Sequence, residues 1–179
     1  MKPIQNYDKI SEAGDIERLP AGIYGVRITN VIDHPEDEYL EITCDIVKGE
    51  YKDYFKLLVD NGMKDTSKTI RSYKTNALPF FKAFITAIEK SNQNFQWDWD
   101  EKKLIGKNVI AVFGEEEYEA KDGSIKVSTK LVDFRSLEAF KEGKITVPPL
   151  KKLERKPVVQ ESSSANLDIL DTPDDDLPF

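Results

Sequence analysis

Apolar and polar positions alternate with period two soon after the start of the chain. Behind a turn at Leu19-Pro20-Ala21-Gly22, residues 22–33 place Val26, Ile28, Asn30 and Ile32 on one face and Arg27, Thr29 and Val31 on the other, the pattern of a half-buried strand. His34-Pro35-Glu36-Asp37 is a turn, and residues 38–48 alternate again, Leu40, Ile42, Cys44 and Ile46 opposing Glu41, Thr43 and Asp45. Gly49-Glu50 reads as a hairpin turn. A third strand is expected over residues 51–60, with Tyr51, Phe55 and Leu57 opposite Lys52, Tyr54 and Lys56, and a polar loop over 61–69. Leu78-Pro79 then opens a helix in which Phe81, Phe84, Ile85 and Ile88 recur at helical spacing, ending near Ser91-Asn92.

Strands resume at residues 107–113 and 124–134, separated by an acidic loop over 114–123, and Ser136 is placed to cap a short closing helix through Phe140. The predicted class is mainly β, in the order β-β-β-α-β-β. A five-stranded Greek-key barrel with one helix between its third and fourth strands has this order, which is that of the oligonucleotide/oligosaccharide-binding (OB) fold.

Composition divides the chain in two. Of 179 residues, 26 are basic and 33 acidic, a net charge of −7. Residues 157–179 hold six of the acids and no base, which leaves residues 1–156 with 26 basic and 27 acidic groups, close to neutral. The acidity is therefore mostly a property of the tail, and the body is free to carry a basic face. Pro148-Pro149 ends regular structure, so residues 1–150 are expected to form the folded domain and 151–179 an appendage. The appendage opens with a basic hinge, Lys151 to Lys156. A Ser-rich stretch follows that cannot offset the ordering entropy of ~1–2 kcal/mol per residue and is expected to be disordered.

No run approaches the ~18 apolar residues of a membrane span, and residues 1–7 lack the apolar stretch of a secretory signal, so a cytoplasmic location and no membrane partner are expected. One cysteine and one histidine exclude an internal disulfide and a Cys-cluster zinc site, and no metal or cofactor is expected. Asp98, Asp100 and Glu101 form a carboxylate cluster of the kind a two-metal nuclease uses, but no histidine and no basic catalytic group at defined spacing accompanies them, and they read as cap and turn residues before Lys102-Lys103. His34 lies in a Pro-bearing turn, Cys44 continues an apolar alternation, and Glu115-Glu116-Glu117 read as a solvated turn. Catalysis is not expected.

Binding chemistry is better represented. Single strands of nucleic acid are held by aromatic faces that stack on bases, worth ~1–3 kcal/mol each, and by cations along the backbone. Lys52, Tyr54 and Lys56 alternate on the predicted third strand, and Arg71, Tyr73 and Lys74 lie in the segment 68–90, which carries five bases against one acid. Lys126 and Lys130 alternate on the fifth strand, and Trp97 and Trp99 flank Asp98. Each set also has a plainer explanation: soluble edge strands, solvated flanks and, for Trp97, Trp99 and the phenylalanines Phe80, Phe81 and Phe84, core packing.

The chain ends on Asp174, Asp175, Asp176, Leu177, Pro178 and Phe179. Three carboxylates, a stiff proline and a terminal phenylalanine suit capture by a basic, apolar slot on another protein. This tip resembles the acidic tip of bacterial single-stranded DNA-binding proteins, with Leu177 in place of the more usual Ile. That resemblance implies recruitment of replication, recombination and repair proteins. The body resembles a phage-type family encoded in the replication and recombination modules of phages of low-GC Gram-positive bacteria. The matching stretches are residues 1–20 with Arg18-Leu19-Pro20-Ala21-Gly22, Ile70-Arg71-Ser72-Tyr73-Lys74, Ala77-Leu78-Pro79-Phe80-Phe81-Lys82 and Trp97-Asp98-Trp99-Asp100-Glu101-Lys102-Lys103-Leu104. It implies single-stranded DNA binding in the host cytoplasm. The alternative reading is an adaptor that recruits such proteins through its tail without touching DNA. No heptad or apolar seam fixes an oligomeric state, so a homo-oligomer stays open.

Overall fold

The first two alternating segments become neighbours in one antiparallel sheet. In the computed structural model, which describes residues 16–153, β1 (Gly22–His34) and β2 (Tyr39–Ile46) pair along most of their length. β3 (Lys68–Ser72) lies outside β2, β4 (Asn108–Glu119) pairs with the first half of β1, and β5 (Ile125–Arg135) lies outside β4. The strand order is β3-β2-β1-β4-β5, a five-stranded open sheet. Three helices complete it: α1 (Tyr54–Asp60), α2 (Leu78–Ser91) and α3 (Leu137–Lys141). The chain is mainly β, with the expected long helix between the third and fourth strands. The expected appendage beyond residue 153, including the tip, lies outside the described residues.

The strand predicted over residues 51–60 is instead α1, and β3 lies where a polar loop was expected. Tyr51, Tyr54, Phe55 and Leu58 also fit the spacing i, i+3, i+4, i+7, so two periods compete for this segment. Tertiary contacts select the helix. The Asp45 carboxylate at the end of β2 accepts the N–H groups of Phe55 (3.1 Å) and Lys56 (3.0 Å), satisfying donors that a helix start leaves open. Tyr54, Phe55 and Leu58 are buried, with the Phe55 ring 5.8 Å from Phe113 of β4. Replacing Asp45 with Ala is expected to cost about 1–2 kcal/mol in urea unfolding, and Asp45→Asn, which keeps one acceptor oxygen, distinctly less.

β3 reads as polar because its two inward positions are Thr69 and Arg71, opposite Ile42 and Leu40 of β2. On β1 a bulge at Thr29 shifts the register between Ile28 and Asn30, and one extra residue exchanges the faces beyond it. Val31 therefore enters the core and Ile32 stays 41% exposed, the reverse of the plain alternation. The predicted bounds of β2 and β5 hold to within a few residues.

The acidic loop expected over 114–123 is mostly strand: β4 continues to Glu119 before the turn at Asp122 and Ser124. Glu115, Glu116 and Glu117 are not a solvated turn. Each is half-buried and has a partner: Arg18 for Glu115 (2.6 Å), Lys130 for Glu116, and the Leu153 N–H for Glu117 (3.1 Å). The edge of β4 here extends beyond β1 and is covered by the outgoing chain. Lys151 exchanges backbone hydrogen bonds with Glu115 and Glu117, both 2.9 Å, in parallel orientation. An otherwise open strand edge is thereby closed.

The core joins inward residues of β1, β2, β4 and β5 with the buried faces of α1 and α2 and with Leu19 and Leu104 from the loops. Val26, Ile28, Ile42, Ile46, Ile88, Leu104 and Phe113 are among its fully buried side chains. Cys44 is buried among them, and that burial pushes its thiol up to about 12. Ser136 caps α3 as expected, its hydroxyl accepting the Ala139 N–H at 3.1 Å. Among the described residues no helix is long and apolar enough to cross a membrane.

Candidate nucleic-acid interface

The two outer strands of the open sheet, β3 and β5, do not pair with each other in the described residues; α2 lies between them. Along this seam runs a groove of about 860 Å³ with walls from Ile70, Arg71 and Ser72 of β3 and Val132 to Arg135 of β5, and a floor from α2. Its lining carries four cations, Arg71, Lys82, Lys90 and Arg135, against Asp133 alone, a net of +3 in a chain whose total is −7. Glu138 of α3, 3.6 Å from Lys90, reduces this by one. Asp133 is occupied by Arg135 at 2.8 Å. Lys82 has no ion-pair partner among the described residues and reaches solvent.

Apolar surface is exposed in the same place. Phe80 is 75% exposed, Ile70 57% and Val132 52%. Phe81 and Phe84 are core residues as expected, but Phe80 is not. At 100° per residue it stands about 90° from the centre of the Phe81–Phe84–Ile85–Ile88 stripe, on the shoulder of the helix. That offset was visible in the sequence. Lys82 and Lys90 contributed to the basic bias of 68–90 without standing out, and Arg135 had no local signal; only the approach of β5 to α2 brings it in.

Of the residues read from sequence as candidate DNA contacts, Arg71 alone lines the groove, and it points inward. Its guanidinium lies 4.8 Å from the Phe134 ring centre and 6.0 Å from that of Phe84. Nη1 donates to the Ile70 carbonyl at 2.9 Å, while Nη2 is buried without a hydrogen-bond partner. Burial holds its pKa below the usual arginine value. Arg71 thus fills the seam that no backbone ladder closes. Tyr73, just beyond β3, packs edge-on against Phe81 (5.8 Å) and donates its hydroxyl to Asp33 at 2.8 Å. Burial and that bond push its pKa up to about 12. Lys74 beside it is exposed.

The others lie elsewhere. Tyr54 is buried, its hydroxyl accepting the Leu19 N–H at 3.0 Å. Lys52 and Lys56 are exposed around α1, and Lys56 borders a cleft shared with Asp45, Asp53, Asp60 and Asp65. Lys126 and Lys130 are exposed on the β4–β5 hairpin, Lys130 paired with Glu116. Trp97 is half-buried against the core and Trp99 is 83% exposed, in the loop after α2. The Asp98 carboxylate there pairs with Lys103, which holds its pKa below the usual range. The described residues contain no group of three or more His, Cys, Asp or Glu arranged to hold a metal ion. No family model matches the chain, and no curated protein matches it.

Proposed function

We propose that the chain binds single-stranded DNA, with little sequence preference, in the groove between β3 and β5. The observation that carries this reading is the exposed Phe80 ring in a net-positive groove of a net-acidic protein. A free aromatic face next to cations is what sequence-tolerant binding of single strands requires. The strand order and the place of α2 fit an OB-like Greek-key barrel. In that description α1 is an insertion between the second and third strands, and Arg71 with α2 fills the seam between the outer two. The resemblance of residues 174–179 to the tips of bacterial single-stranded DNA-binding proteins supports a second role. The tip would recruit replication and recombination enzymes and raise their concentration near the bound strand.

Fluorescence anisotropy with labelled oligo-dT and a matching duplex, over a range of salt, tests the proposal. The single strand is expected to bind preferentially, with log affinity falling against log salt at about −0.7 per phosphate neutralised. Phe80→Ala should weaken binding by about 5- to 150-fold, the equivalent of ~1–3 kcal/mol of stacking, whereas Phe80→Trp should preserve it. Absence of binding even at low salt would overturn the reading in favour of an adaptor that works through its tail alone.

A further inference from the structure

The loop after α2 holds a second exposed ring in a conformation that costs energy. Trp99 has φ +69°, the left-handed region that a bulky residue rarely enters, and its side chain is 83% exposed. Folding gains nothing from that arrangement through burial, and such local strain concentrates at binding sites.

The surroundings fix the ring rather than leave it loose. Trp97, anchored against the core, lies 6.3 Å from Trp99 between ring centres, with the planes inclined at 56°. The Trp97 backbone N–H donates to the Glu89 carboxylate of α2 at 2.9 Å. Asp98 pairs with Lys103, and Asp100 accepts the Lys102 N–H at 3.1 Å, capping the short 3-10 turn Glu101–Leu104. The two carboxylates beside Trp99 are thus engaged internally.

Glu89, which anchors this loop, is seven residues from Lys82 and so lies on the same stripe of α2. The Trp loop is therefore joined to the flank of α2 that carries Lys82, one of the residues lining the groove. Phe80 and Glu89 are separated by about 14 Å along the helix axis at ~1.5 Å per residue and by about half a turn around it, so the two lie on opposite flanks of α2.

We infer that Trp99 is a second stacking platform for an unpaired base, at the far end of a track that starts at Phe80 and crosses the exposed face of α2, past Lys90, to the flank that carries Lys82 and Glu89. The inference rests on the proposed single-strand binding and adds a subsite to it. Phe80 engages one base, the lysines engage the intervening phosphates, and Trp99 engages a later base. Because the indole carries no charge, its contribution is stacking with little ionic component.

The test uses the full chain and oligo-dT of about 4 and about 16 nucleotides, the range of site sizes known for OB folds. Wild type, Trp99→Ala, Trp99→Phe and Phe80→Ala are compared by anisotropy at several salt concentrations, with circular dichroism to verify folding. Trp99→Ala should weaken the longer strand by about 5- to 150-fold with an unchanged salt slope, and the shorter strand far less. Trp99→Phe should retain most of the affinity. Equal binding of wild type and Trp99→Ala to the longer strand, with Phe80→Ala weakened, overturns the Trp99 subsite and leaves the groove standing. If wild type binds neither oligomer, the groove reading itself fails.

Discussion

Lys82→Glu combined with Lys90→Gln is expected to weaken binding of a long single strand on the order of 100-fold near 50 mM salt, and to flatten the salt dependence by about 1.4 in log–log slope. Both side chains are exposed on one helix, so the fold should not register the change. Gln is used at position 90 because Lys90 occupies the last turn of α2, where a carboxylate would oppose the helix dipole. The pair of substitutions takes the groove lining from a net of +3 to zero. Two lost phosphate contacts at about −0.7 each account for the slope. An unchanged slope would show that the strand does not follow α2, whatever the change in affinity.

Arg71→Ala is expected to destabilise the protein by about 2–4 kcal/mol, measured by urea unfolding. The substitution removes a long side chain from between Phe84 and Phe134 and leaves a void where β3 and β5 are not hydrogen-bonded. The lost cation–π attraction, about 1–2 kcal/mol for a desolvated guanidinium, is part of that figure. Arg71→Met should cost less than about 1 kcal/mol. It keeps most of the volume and removes a charge whose Nη2 is buried without a hydrogen-bond partner. A different pattern separates the two roles proposed for this residue. If both variants keep wild-type stability but lose DNA binding, the guanidinium is a contact for phosphate rather than the filling of the seam.

The outcome for Arg71 illustrates how charge in a sequence misleads about position. An arginine between Ile70 and Ser72, followed by Tyr73 and Lys74, has the composition of a binding surface. Its partner in the sheet is Leu40, an inward position, and that register is set by residues about thirty places earlier. Phe80 misleads in the opposite direction. A phenylalanine beside Phe81 counts as core by composition, yet helix geometry turns it towards the groove. The site is thus built partly from side chains whose type suggests a different environment.

The sequence by itself determined the strands β1, β2, β4 and β5, the helix α2, the capped closing helix and the burial of Cys44. In β2 and α2 a single period runs unbroken with its apolar side matched to one face, so local pattern and global packing agree. Tertiary structure decided the rest. Residues 51–60 satisfy both a strand and a helix period, and the Asp45 carboxylate, reaching from β2 to the N–H groups of Phe55 and Lys56, settles the competition for the helix. The bulge at Thr29 reverses the faces beyond it because a two-residue period cannot absorb one extra residue. The groove depends on β3, α2 and β5, whose residues 70, 80 and 135 meet only when the sheet curls. Pattern within a segment reports which of its faces is apolar; the neighbour against which that face packs is fixed by contacts between segments far apart in the chain.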